Sequence, residues 1–139
     1  CPDVAPGAIV YFPVQREGGF FYVGDCHGRQ GDGELCGVAV EIPATVNLQI
    51  DLIKGWSIPG VRLETKDMIM ALGSARPMED AARMAYRDLV RWLVDGYEFE
   101  ESEAYFLATQ AGKMRVGNIV DPKYTMGASI LKEYIEQKG

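Results

Sequence analysis

Apolar and polar positions change their spacing once along this chain, and the change separates a strand-rich first half from a helical stretch. Residues 8–14 (AIVYFPV) and 20–24 (FFYVG) are apolar runs of strand length, rich in β-branched and aromatic side chains. The Arg16-Glu17-Gly18-Gly19 segment between them has hairpin-loop composition and predicts an antiparallel pair. Residues 35–42 form a further predicted strand. Its alternation places Leu35, Gly37, Ala39 and Glu41 on one face and Cys36, Val38, Val40 and Ile42 on the core face. Gly37 and Ala39 leave room beside Glu41 for a ligand, a metal or a packed backbone. In residues 45–52 Val46, Leu48, Ile50 and Leu52 alternate with Thr45, Asn47, Gln49 and Asp51, the pattern of a half-solvated strand. Residues 56–64 and 67–72, separated by a Thr65-Lys66 turn, complete the β-rich part.

From Pro77 the period becomes 3.6. Proline suits a first helical turn, Glu79 and Asp80 favour the positive end of the dipole, and Met78, Ala82, Ala85, Leu89, Trp92 and Leu93 form one stripe. Gly96 is the expected stop. A second helix, residues 100–111, carries Ala104, Leu107, Ala108 and Ala111 inward and ends at Gly112. The acidic run Glu98, Glu100, Glu101 and Glu103 reads as its solvated start. Residues 114–120 resemble a strand, and the pattern of residues 128–135 is ambiguous. Strands, then two helices, then strand again indicate an α+β fold in one unit, residues 1–139, rather than alternating βαβ units.

With 139 residues, 47% of them hydrophobic, the chain can bury a core. A formal net charge of −6 argues against nucleic acid and anionic membrane surfaces as partners. No apolar run approaches the roughly 20 residues needed to span a bilayer. Three cysteines, Cys1, Cys26 and Cys36, suit a reducing compartment better than a disulfide framework, and the expected location is cytoplasmic. A chain that begins at Cys1 without an initiator methionine points to a segment upstream of it.

Polar chemistry concentrates in residues 24–41, GDCHGRQGDGELCGVAVE. Asp25 and His27, the single histidine, are two apart at a strand end, so in extended geometry both project to one side and could ligate one divalent metal. Zinc heads the candidates; a catalytic zinc takes three protein ligands, and Glu34 or Glu41 could be the third or the general base. The alternative is that Asp25 and His27 brace a tight loop. Gly31, Asp32 and Gly33, with Glu34, could cradle an anion or oxyanion of the substrate through backbone N–H groups, or form an Asp-Gly turn. Cys1 offers another mechanism, in which processing exposes a thiol nucleophile with its own α-amino group as base. Cys26 and Cys36 read as small buried hydrophobes.

The segment GDCHGRQGDGELCGVAVE resembles the GD-x-H-x-x-x-GDGE-x-CG-x-x-x-E motif of the acetamidase/formamidase family. PGAIVYFPV resembles the strand just upstream in that family and VGNIVDP its late strand, so the resemblance runs from Pro6 to about Ile135. It covers the family's C-terminal half; members are about twice this size. The resemblance implies β-rich, sandwich-like sheets with two appended helices, and hydrolysis of short amides such as formamide or acetamide to acid and ammonia. It implies a metal at Asp25 and His27, with Glu34 and Glu41 nearby. The partners it implies are a small amide, an upstream segment or subunit of the same precursor, and an oligomeric assembly. Three functions stand side by side: a metal-dependent amidase, a Cys1 amidase, and a non-catalytic assembly subunit.

Overall fold

The computed structural model describes residues 1–136. Its β part is one antiparallel open sheet of five strands: β1 (Ile9–Tyr11), β2 (Arg62–Glu64), β3 (Met68–Ala75), β4 (Lys113–Asn118) and β5 (Tyr124–Leu131), in the spatial order β1-β2-β3-β5-β4. Two helices, α1 (Met78–Tyr97) and α2 (Glu101–Ala111), connect β3 to β4. The architecture is α+β, as the order of sequence patterns indicates. No helix among the described residues is long and apolar enough to cross a membrane.

Small residues let α1 lie close on the sheet. A Cβ added to Gly73 of β3 would collide with the Ala81 carbonyl oxygen and come within 2.7 Å of the Ala85 nitrogen. Ile69, Ala71, Ala128 and Ile130 of the sheet pack there against Ala85, Leu89, Trp92 and Leu93 of α1 and Ala104 of α2. Each fully buried Leu or Ile of this kind contributes about 1.5–3 kcal/mol. The buried line of α1 runs through Ala81 rather than the expected Ala82, and it takes in Asp88. Asp88 is tolerated because Arg62 of β2 meets it with a bidentate contact, Nη2 at 2.6 Å, while the guanidinium lies over the rings of Trp56 and Trp92.

Helix boundaries follow local chemistry closely. Pro77 stands just outside α1 as its N-cap, and Glu98 in a left-handed conformation, not Gly96, closes it. At α2 Glu100 and Glu103 form a capping box, which gives the acidic run a structural use.

The strand expectations need larger corrections. Residues 8–14 and 20–24 form no hairpin; β1 pairs instead with β2, Val10 opposite Leu63. Residues 45–52 join no ladder, and residues 35–42 supply only one bridge, Glu41 opposite His27. The expected core face of that segment, Cys36, Val38, Val40 and Ile42, is exposed. The physical reason is the partner: β1 finds its neighbour some fifty residues on, residues 35–42 meet only the short stretch around His27, and residues 45–52 carry strand-like alternation with no strand beside them to receive their backbone N–H and C=O groups. The ambiguous tail resolves into β5, a strand paired on both sides, followed by a 3-10 turn at Lys132–Tyr134.

Candidate metal and acid-base site

A short antiparallel pairing builds the site. The Gly28 amide donates to the Val40 carbonyl at 2.8 Å, Val40 to Arg29 at 3.0 Å, and Ile42 to Cys26 at 3.2 Å. This register sets His27 directly opposite Glu41, and residues opposed in an antiparallel pair project to the same side. His27 Nε2 consequently lies 3.1 Å from Glu41 Oε1. Asp25 is not extended as expected: at φ 56° it occupies the left-handed region, and its Oδ1 still reaches Nε2 at 3.1 Å. Glu34, also left-handed at φ 47°, brings Oε1 to 3.9 Å from the same nitrogen. Two non-glycine residues in that region, each costing about 1–3 kcal/mol, mark the backbone around the imidazole as constrained by its surroundings.

The surroundings differ by side. The His27 and Glu34 side chains are 11% and 15% exposed, whereas Glu41 and Asp25 are 52% and 80% exposed. The site therefore has a floor and an open mouth. Gln30 Oε1 sits 3.1 Å from His27 Nδ1 on the floor side. That contact, joined by the charges of Glu41 and Asp25, holds the imidazole above its ordinary pKa against the opposing effect of lost hydration.

Asp25, His27 and Glu41 each offer one ligand atom, and the three atoms lie within 4.8 Å of one another. An imidazole nitrogen and two carboxylate oxygens are a donor set for zinc and similar divalent ions. Nε2 flanked by two anionic oxygens also demands positive charge between them, from a proton or from a metal. On both counts the residues present fit a divalent ion.

The glycine loop is anchored rather than free. The Gly33 amide donates to the Val116 carbonyl at 2.8 Å, and the Ile119 amide to the Gly33 carbonyl at 3.0 Å, so the loop is stitched to the β4 edge. Gly33 has φ 81°, and an added Cβ would lie 2.9 Å from Ile119 Cγ1, so no larger residue fits that approach. Glu34 donates its amide to the Gly31 carbonyl, forming a turn. Two of the donors expected to cradle an anion are thus spent on backbone carbonyls. Asp32 is held by Arg115 at 2.6 Å, and Arg115 also holds Asp3 at 2.7 Å. Cys1 lies beside Gly117, with its Sγ 3.7 Å from Asp3 Oδ2. Cys26 is half-buried and Cys36 exposed, so the buried role expected of Cys36 is corrected. Gln30 and Arg115 are contributors that pattern reading missed. Gln30, three residues after His27 inside the quoted segment, carried the better signal; Arg115 carried none.

Comparison with known proteins places the chain as a whole. The pattern that defines the Acetamidase/Formamidase family matches residues 2–133. An acetamidase of Mycolicibacterium smegmatis is 43% identical over 51 residues, 35% of this chain and 12% of its own length. The crystal structure of an acetamidase from Yersinia enterocolitica superposes with a TM-score of 0.94 at 52% identity, covering 96% of this chain and 41% of that one. A Bacillus halodurans acetamidase gives 0.90 at 34% identity, covering 99% and 46%. The chain spans less than half the length of either of these two solved relatives. Because the family pattern and the shared fold both extend over nearly all of its residues, the chain belongs to the acetamidase/formamidase family.

Proposed function

We propose that this chain supplies the Asp25–His27–Glu41 centre of a hydrolase that cleaves the C–N bond of small non-peptide amides, giving the acid and ammonia. The observation that carries the reading is the meeting of three acidic side chains on one imidazole nitrogen at the mouth of a braced loop. Asp25, His27 and Glu41 would hold a divalent metal, zinc in the first place, with further ligands from polypeptide outside this chain. When bound, such an ion polarises a carbonyl and lowers the pKa of water. Asp25 and Glu41 anchor the open side, and the mostly buried Glu34 takes the proton of the attacking water and passes it to the departing nitrogen. Names of the relatives, acetamidase for each of those described, support the substrate class.

We propose equally that the exposed apolar run of residues 12–57 is covered by the remainder of such an amidase, an upstream segment or subunit of the same precursor. Phe20 is 90% exposed, and Tyr22, Leu35, Ile50 and Leu52 also stand largely in solvent, more apolar surface than a lone soluble chain ordinarily presents.

Replacing His27 with Ala in the assembled protein tests the first proposal. Zinc content by elemental analysis should fall to background and ammonia release from acetamide or formamide should drop by about 100-fold or more, beyond the usual loss from a supporting residue, with the circular dichroism spectrum kept. Unchanged ammonia release would remove His27 from the mechanism.

A further inference from the structure

The ladder between β4 and β5 pairs Val116 with Met126 and then Asn118 with Thr125, so its register slips at Gly117. A slip of this kind leaves one residue outside the regular pairing and re-aims its backbone. Gly117 is buried, and its carbonyl oxygen accepts from Gln30 Nε2 at 3.3 Å. A carbonyl oxygen only accepts, so the NH2 end of Gln30 must face Gly117 and its carbamoyl oxygen must face the ring of His27, 3.1 Å from Nδ1. That oxygen also only accepts, which calls for a proton on Nδ1. Asp25 and Glu41 meanwhile surround the other nitrogen, Nε2.

From this relay we infer that Gln30 is a positioning residue: aimed by the β4 bulge at Gly117, it holds the proton on Nδ1 of His27 and so directs Nε2 toward the carboxylates as the ligand atom. Its consequence for metal binding rests on the metal reading of the site, whereas the placement of the Nδ1 proton does not. The bulge thereby has a use in the site although it lies on an edge strand with no acidic residue and no histidine of its own. Outer hydrogen bonds of this kind fix the orientation and proton placement of ligating histidines in general, and their loss weakens metal affinity by about 10–100-fold.

Two substitutions separate this role from simple bracing of the loop. Gln30→Leu removes both hydrogen bonds, whereas Gln30→Glu keeps an acceptor for Nδ1 but cannot donate to Gly117. In the assembled protein, zinc affinity measured by chelator competition should fall about 10–100-fold in Q30L and by less in Q30E, which keeps the acceptor for Nδ1 and loses only the aim that Gly117 supplies. With 15N-histidine placed in this chain, whose single histidine is His27, a hydrogen-bonded Nδ1 proton should be visible in the wild type and in Q30E and lost in Q30L. Equal losses of zinc affinity in the two variants would overturn the inference, since bracing through Gly117 fails in both. So would a wild-type spectrum without the Nδ1 proton. If the wild type takes up no zinc at all, the metal reading fails by itself and the Nδ1 proton still decides the role of Gln30.

Discussion

Two regions of this molecule carry the same kind of alternation and come to opposite ends. In β3 and β5, Ile69, Ala71, Ala128 and Ile130 alternate into a dry core beneath α1 and α2. In residues 45–52, Val46, Leu48, Ile50 and Leu52 alternate just as regularly and stay in solvent. The difference is the neighbour. A strand is completed only when another strand takes its backbone polar groups and a packed layer takes its apolar face; period 2 states which side chains share a face and says nothing about what they meet. The candidate site lies on the seam between the regions. His27 and Glu41 pair only with each other, outside the five-stranded sheet, and hydrogen bonds to the Val116 and Gly117 carbonyls tie their loop to it.

The most damaging test of the comparison strikes the completed region. Asp88→Ala strips the partner from Arg62, leaving a guanidinium almost wholly buried between two indoles. Removing one member of a buried pair leaves an uncompensated charge, and the expected loss is about 3–5 kcal/mol, read as a lower urea midpoint with an unchanged denaturant slope. A loss no larger than that of an average surface change would show that the helix-backed core is less closed than its geometry says.

What the sequence made legible divides along the same seam. Both helices could be read because their signals are local: Pro77 before the first turn, the 3.6-period stripe, and Gly112 after the last. β5 could not, because Gly127, Ala128 and Ser129 are small to admit the neighbouring layer, and small residues carry little strand signal. Nor could the partnership of β1 with β2, since the Gly18-Gly19 turn signal sits nearby while the true partner lies some fifty residues on. At the site, Asp25, His27, Glu34 and Glu41 were legible as a group from their crowding in one glycine-rich stretch. Their support from β4 was not, because nothing in the local pattern of Arg115 or Gly117 refers to a loop more than eighty residues away.

A smaller effect is expected where β1 closes the sheet. Tyr11 donates to Glu64 at 2.7 Å, and Lys132 reaches the other oxygen of Glu64 at 2.6 Å. Burial first, then the hydrogen bond to Glu64 and that carboxylate's charge, push the Tyr11 phenol up to about 12. Its proton is therefore held more tightly folded than unfolded. The contribution is complete below the ordinary phenol value near 10 and disappears as the pH climbs through about 12. Lys132, raised by its hydrogen bond to Glu64, loses its contribution in the same direction. Tyr11→Phe keeps the ring edge-on to Trp56 and Trp92, so it should cost only about 1 kcal/mol at neutral pH and flatten part of the alkaline decline. Parallel stability-versus-pH curves for the two proteins would separate Tyr11 from that decline.

The smallest expected change in the chain's own stability is the one that tests the comparison from the other side. Leu48 is 51% exposed, so Leu48→Ser removes no core contact and should shift the unfolding free energy by no more than about 0.5 kcal/mol. If the alternating face of residues 45–52 is covered by the remainder of an amidase, the same substitution acts on association instead. A leucine side chain buried in that interface is worth about 1.5–3 kcal/mol, which corresponds to binding weaker by about 10–100-fold, measurable by retention of this chain in co-purification and by titration. Asn47→Ala, one residue away on the opposite face of the alternation, is the control and should leave both quantities unchanged. Equal effects of Leu48→Ser and Asn47→Ala on association would mean that the alternation marks no buried face. A large loss of the chain's own stability in Leu48→Ser would instead show that this stretch already has a partner within the chain, and the contrast between the two regions would no longer hold.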